Sequence, residues 1–249
     1  MSRMKFMNTE IDNLTMQETL QAIDRLIQED KSAYVVTPNV DHIVQLETSK
    51  ELQAVYENAS LILTDGKPLL WIAKWYGTPI KEKISGSDLF PLLCKMAAKK
   101  EYKMFFLGAA EGVAAKAAEN LSNKFKGLQV VGTYSPPFGF EKNPAEMDKI
   151  KSMIKEAAPH ILIVGLGCPK QEKFMYHHCK ELGVPISFGL GASFDFEAGN
   201  IKRAPRWMSN HGLEWLFRIT QDPKRMAKRY LVDDRKILGL AVKYRKGSR

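Results

Sequence analysis

Residues 160–190 of this 249-residue chain, HILIVGLGCPKQEKFMYHHCKELGVPISFGL, decide how the rest is to be read. Two apolar, strand-like runs, 160–164 and 184–188, each end in a glycine-rich turn, and a helix-length segment, 171–182, separates them. That pattern predicts neighbouring parallel strands whose carboxyl ends lie side by side. In an open α/β sheet that edge is where ligands bind. The second turn leads into FDFEAGNIKRAPRWM and then GLEWLFR, where Lys202, Arg203 and Arg206 are interleaved with Trp207, Trp215 and Arg218. Cations among indoles suit a ligand with phosphates at one end and an apolar or planar group at the other.

Outward from this unit the same alternation continues. Residues 33–36, 61–63, 104–107, 129–131, 161–164 and 185–188 read as short buried strands. Helices are expected over 16–28, 89–99, 112–125, 145–157 and 171–182, the first opened by the capping box Thr15-Met-Gln-Glu18. The segment 134–144, with three prolines and a glycine, reads as the longest loop. The prediction is a Rossmann-like α/β core, a mostly parallel sheet with helices on both faces, over residues 1–195. The rhythm stops near Asp195, and residues 196–249 are expected to form a basic, amphipathic helical appendage.

The charge supports that division. The chain carries a formal net charge of +9, yet residues 201–249 alone hold 14 Lys and Arg against 4 Asp and Glu. A block this basic seeks phosphate, in nucleic acid, anionic lipid or a diphosphate substrate. It also carries Trp215, Tyr230, Leu238 and Tyr244, which describes helices that lie on a surface. Three cysteines, an odd number without framework spacing, fit reduced thiols. The N-terminal residues lack the apolar stretch of a secretory signal, and no apolar run reaches the ~18 residues of a spanning helix. The expectation is a cytoplasmic protein.

Several strand ends present chemistry. In VVTPNVDH, Thr37 and Asn39 follow a strand, with Asn39 equally suited to cap a helix. In LILTDGKPL, Asp65 either caps the next helix or stands at the sheet edge as a general base, with Gly66 letting a ligand approach. Gly108 in FFLGAAEG and Gly167 in GLGCPKQE mark turns close enough to touch a nucleotide. Ser85-Gly-Ser-Asp88 either binds an anion at a helix start or caps that helix. Together these make a site at one edge more plausible than a set of unrelated caps.

Other chemistries fit poorly. FFLGAAEG is not G-x-G-x-x-G, and no acidic residue follows the next strand, which disfavours a nicotinamide cofactor. On one helix His177 and His178 lie ~100° apart and cannot share an ion, so zinc at the Cys168, His177, His178, Cys179 group is not expected. No Asp-x-Asp pair ends a strand, so any departing phosphate must be neutralised by Arg and Lys. No metal and no cofactor are assigned.

The chain resembles the WecG/TagA/CpsF glycosyltransferase family through VVTPNVDH, LILTDGKPL, SGSDL, FFLGAAEG, GLGCPKQE, GLGASFDFEAG, KRAPRW, GLEWLFR and PKRMAKRYL, in order over nearly its whole length. The resemblance implies an inverting, metal-independent transferase. It would move N-acetylmannosamine from its UDP carrier to undecaprenyl-diphosphate-linked N-acetylglucosamine at the inner membrane face, in wall teichoic acid synthesis. It assigns Asp65 as base, Thr37 and Asn39 beside it and Gln171 to the donor pocket. Where the family has an arginine ahead of SGSDL, this chain has Lys81, Glu82 and Lys83. Arg203, Arg206, Arg218 and Arg225 form the cation pool for donor and lipid diphosphates. The partners expected are a UDP-sugar, a polyprenyl-diphosphate acceptor and an anionic membrane surface bound peripherally, with homo-oligomerisation left open. Another UDP-sugar, such as UDP-ManNAcA or a UDP-hexose, is the alternative donor. A nucleic-acid binder would leave the glycine turns and Asp65 unexplained, and a non-catalytic membrane adaptor would leave Asp65 unexplained.

Overall fold

The computed structural model describes residues 3–228, 230 and 234–246; the side chains of Arg206, Asn210, Arg225 and Lys246 lie outside that description. An antiparallel hairpin, β1 (Arg3–Phe6) and β2 (Thr9–Asp12), precedes a six-stranded, fully parallel sheet. Its strands are β3 (Ala33–Val36), β4 (Leu61–Ile62), β5 (Lys103–Gly108), β6 (Gln129–Tyr134), β7 (Ile161–Gly165) and β8 (Ile186–Gly189). They lie in the order β4-β3-β8-β7-β5-β6. Strands β3, β7 and β8 are buried along their full length, which is why they read as continuous apolar runs rather than alternating ones.

Helices cover both faces of the sheet. One face carries α2 (Val40–Leu46), α3 (Lys50–Glu57), α4 (Lys67–Trp75), α7 (Pro144–Ala157) and α8 (Lys170–Leu182). The other carries α1 (Met16–Glu29), α5 (Gly86–Lys100), α6 (Val113–Lys124) and α9 (Gly191–Ala198). The Rossmann-like expectation is met, and each strand foreseen is present. The capping box at Thr15 forms, with Glu18 Oε2 accepting from the Thr15 amide at 2.7 Å. The sequence offers helices after Asn39 and after Asp65 as alternative readings, and α2 and α4 start there, α4 without a side-chain cap; α3 and the hairpin were not foreseen. Helices α2 and α3 span 7 and 8 residues, too few turns to display a period, and only their caps Asn39 and Ser49 announce them. The hairpin is held from outside: Asp12 pairs with Arg3 at 3.0 Å and accepts from the Ile62 amide at 2.9 Å, clamping it to edge strand β4.

The boundary placed at residue 195 falls inside α9, whose Phe194 is fully buried against Phe90 and Phe106 at ring-centroid distances of 5.6 and 5.4 Å. Beyond it come α10 (Arg206–Asn210), α11 (Glu214–Gln221), α12 (Pro223–Lys228) and α13 (Lys236–Lys246), the basic helical appendage. Helix α13 is not a free tail. Its Ile237 and Ala241 join the core beside α2 and α4, and the Tyr76 hydroxyl donates to the Ala241 carbonyl at 2.7 Å. Its opposite stripe, Leu238 and Val242, faces solvent, so of the apolar residues on this helix only part is exposed.

Candidate active site

Helices after β5 and β7, adjacent in the sheet, depart to opposite faces, and so do those after β8 and β3. Such reversals open crevices at the carboxyl edge. Gly108 pairs with Gly165 there at φ +111°, and a Cβ on it would lie 2.4 Å from the Gly165 carbonyl oxygen. Only glycine lets these two strand ends close on each other.

The cleft lies on the other side of β3, at the carboxyl ends of β3 and the edge strand β4. The Leu63 amide donates to Val36 and the Asp65 amide to Pro38, at 2.9 and 2.8 Å, so the ends of β4 and β3 run on together and bring Asp65 beside Asn39. The Ile84 amide donates to the Thr64 carbonyl at 2.8 Å, which lays Lys83 along the same edge. Helix α11 and the start of α13 close the far wall with Glu214, Trp215, Arg218 and Leu238. The resulting cleft measures about 400 Å³ and is lined by Asn39, Asp65 and Lys83 from the core and Arg218 and Tyr230 from the appendage.

Its electrostatics follow from this enclosure. Burial pushes the Asp65 carboxyl up to about 6, with Glu214 and Asp88 adding to the rise and Arg218 and Lys83 opposing it. Lys83 lies 3.2 Å from Asp88 Oδ2 and 3.9 Å from Glu214 Oε2. Although burial works against its charge, these carboxylates and Asp65 hold Lys83 above the usual lysine range. Arg218 donates to Glu214 Oε1 at 2.8 Å, while its Nε is buried without a hydrogen-bond partner among the described residues. A buried guanidinium N–H left unpaired is a donor awaiting an acceptor.

The sequence-derived candidates divide accordingly. Asn39, Asp65 and Arg218 share the cleft. Asn39 also caps α2, accepting from the Asp41 and His42 amides at 3.1 and 3.4 Å, so the capping reading holds in a residue that also lines the cleft. Thr37 is buried at the end of β3, and Gly108 and Gly167 lie at neighbouring strand ends outside the cleft lining. Gln171 is buried against the end of β8: its Oε1 accepts from the Gly191 amide at 3.2 Å, and its Nε2 donates to Glu172 at 2.8 Å. Arg203 is placed at the start of α5, bound to the Ser87 carbonyl and to Asp88 and Glu197 at 3.4 and 3.1 Å. Arg206 and Arg225 begin α10 and lie within α12, and their side chains, like all of Arg229, are outside the described residues. The cleft adds Lys83 and Glu214, which no local pattern marks. Lys83 was legible only as a cation standing where the family's arginine would be.

The sequence profile described as "Glycosyl transferase WecG/TagA/CpsF family" matches residues 4–249. The chain is 34% identical over 200 residues to the N-acetylglucosaminyldiphosphoundecaprenol N-acetyl-beta-D-mannosaminyltransferase of Bacillus spizizenii, covering 80% of this chain and 75% of that protein. Proteins of the same name from Bacillus subtilis and Staphylococcus aureus are 29% identical over 199 residues and 25% over 229, covering 80% and 91% of this chain and 75% and 88% of theirs. With a profile spanning the described core and appendage alike, the chain belongs to the WecG/TagA/CpsF glycosyltransferase family.

Proposed function

We propose that this protein transfers N-acetylmannosamine from its UDP carrier to undecaprenyl-diphosphate-linked N-acetylglucosamine, with inversion and without a metal ion. The observation that carries the reading is a carboxyl with its pKa raised to about 6, enclosed with two cations in one cleft. A general base with a pKa near the working pH accepts a proton readily while remaining largely ionised. The acceptor sugar hydroxyl loses its proton to Asp65 as its oxygen bonds the anomeric carbon of the donor. The bond from that carbon to the diphosphate breaks, and UDP leaves with the electron pair. Lys83 and Arg218 supply the positive charge for the departing oxygen, where preorganised cations lower the barrier most. Names of the relatives support the donor sugar and the lipid-linked acceptor.

The acceptor's prenyl chain stays in a bilayer, so the enzyme works at the membrane surface. No helix among the described residues is long and apolar enough to cross a membrane. Trp71, Trp75, Trp207, Leu238 and Val242 are at least 46% exposed, which supports peripheral docking next to a basic segment.

The deciding measurement is UDP release by purified protein given UDP-ManNAc and the lipid-linked acceptor together. Release only when both are present is expected, and it persists in EDTA. Absence of release, or loss in EDTA restored by Mg²⁺ or Mn²⁺, would overturn the transfer or its metal independence respectively.

A further inference from the structure

Beside the cleft, where α2 meets the start of α8, three side chains converge that the transfer reaction does not use. His42 Nε2 lies 3.2 Å from Glu172 Oε1, and ligand atoms of His42, Cys168 and Glu172 all lie within 4.8 Å of one another. We infer that His42, Cys168 and Glu172 form a binding site for a soft divalent cation of the zinc class.

The donor set of imidazole, thiol and carboxylate matches zinc, and a tetrahedral ion with bonds of about 2.0–2.3 Å requires donor separations of roughly 3.3–3.6 Å. The imidazole and carboxylate already stand close to that spacing, and the thiol lies within 4.8 Å of both. Each donor is also oriented by a further hydrogen bond, as metal ligands are. His42 Nδ1 lies 3.0 Å from Asn39 Oδ1 and 3.4 Å from the Asn39 amide; metal binding selects the tautomer in which Nδ1 donates to Oδ1, gives up the longer amide contact, and leaves Nε2 its lone pair. Glu172 Oε1 accepts from Gln171 Nε2 at 2.8 Å. Cys168 Sγ accepts from Gln45 Nε2 at 3.5 Å.

A buried His42–Glu172 ion pair accounts for part of this arrangement and leaves a remainder. Glu172 is 1% exposed, and its Oε2 has no hydrogen-bond partner among the described residues. An ion satisfies that oxygen, since carboxylates bind zinc through either atom. Cys168 is partly exposed and marks the route in from solvent, with a water completing the fourth position. The sequence could not reveal this set, because His42 lies 126 positions from Cys168 and the histidines nearest that cysteine face elsewhere.

The test uses the full chain, stripped with a chelator and titrated with Co²⁺ and then Zn²⁺. Expected are one ion per chain, a thiolate-to-cobalt charge-transfer band with intense visible d–d bands, and displacement of both by zinc. Cys168→Ser, at a partly exposed turn position, removes the charge-transfer band with its far-ultraviolet circular dichroism unchanged. Gln45→Leu, which spares all three donors, weakens binding about 10-fold or more. No charge-transfer band in the unmodified protein, or a band that survives Cys168→Ser, overturns the site. So does zinc affinity equal in the unmodified and Cys168→Ser proteins.

Discussion

At Asp65 an electrostatic cost is built into the native state. Its carboxyl, held near 6 instead of the usual 3.8, opposes folding by on the order of 3 kcal/mol at neutral pH before any relaxation. Asp65→Asn keeps the shape and cannot take a proton. Turnover is expected to fall about 10²- to 10⁴-fold while UDP-sugar binding, followed by calorimetry, is retained. The same substitution is expected to raise the melting temperature at pH 7. Because the folded pKa is raised, the cost vanishes below the unfolded value of 3.8 and is complete above 6, so the gain shrinks as the pH falls through that window. In the unmodified enzyme kcat/KM should drop about tenfold per pH unit below roughly 6 as the base protonates. A flat profile between pH 5 and 8, by stopped assays, would remove Asp65 from the role. Lys83 is the companion test. Lys83→Arg retains charge at the cleft and most turnover, whereas Lys83→Gln loses about 10²-fold, the size expected for one preorganised donor.

At the scale of elements, two junctions hold the catalytic edge in shape. One is the contact of β5 with β7, where Gly108 at φ +111° leaves no room for a side chain. Gly108→Ala combines a left-handed conformation costing about 1–2 kcal/mol with a collision against the Gly165 carbonyl. A loss of at least about 2 kcal/mol in urea unfolding is expected, and an unchanged midpoint would show that the turn relaxes freely. The other is α8 against α9, where buried Gln171 ties its helix to the Gly191 amide. A Cβ on Gly191 would stand 2.8 Å from Gln171 Oε1, so the turn before α9 is shaped around this amide.

For the whole molecule, the appendage completes the cleft and covers the core at once. Arg218, Tyr230 and Leu238 line the cleft, while Ile237 and Ala241 fill a groove beside α2 and α4. Removing everything after Asn200, which spares α9, is expected to abolish liposome sedimentation and also turnover of a short-chain, water-soluble acceptor. Retained turnover on that acceptor would reduce the appendage to an anchor. Trp75→Ser with Val242→Ser, both outside the cleft lining, should weaken sedimentation with anionic liposomes and spare the soluble acceptor. Equal sedimentation of variant and unmodified protein would place the membrane-facing surface elsewhere.

The parallel sheet and most of its covering helices were legible from local pattern, since buried strands and caps are written in contiguous residues, as is the charge block after residue 200. So was the short list at strand ends, including Asp65 and Asn39, because glycine and polar residues interrupting apolar runs mark the edge of a sheet. Partnership was not legible. Lys83 reaches Asp65 through a backbone bond between Ile84 and Thr64, Glu214 and Arg218 arrive from a helix some 150 positions away, and Arg203 is turned aside to Asp88 and Glu197. These outcomes depend on crossovers that bring distant segments to one edge and on which carboxylate each cation meets there. Burial, which lifts Asp65 toward neutrality, exists only once those segments have closed around it.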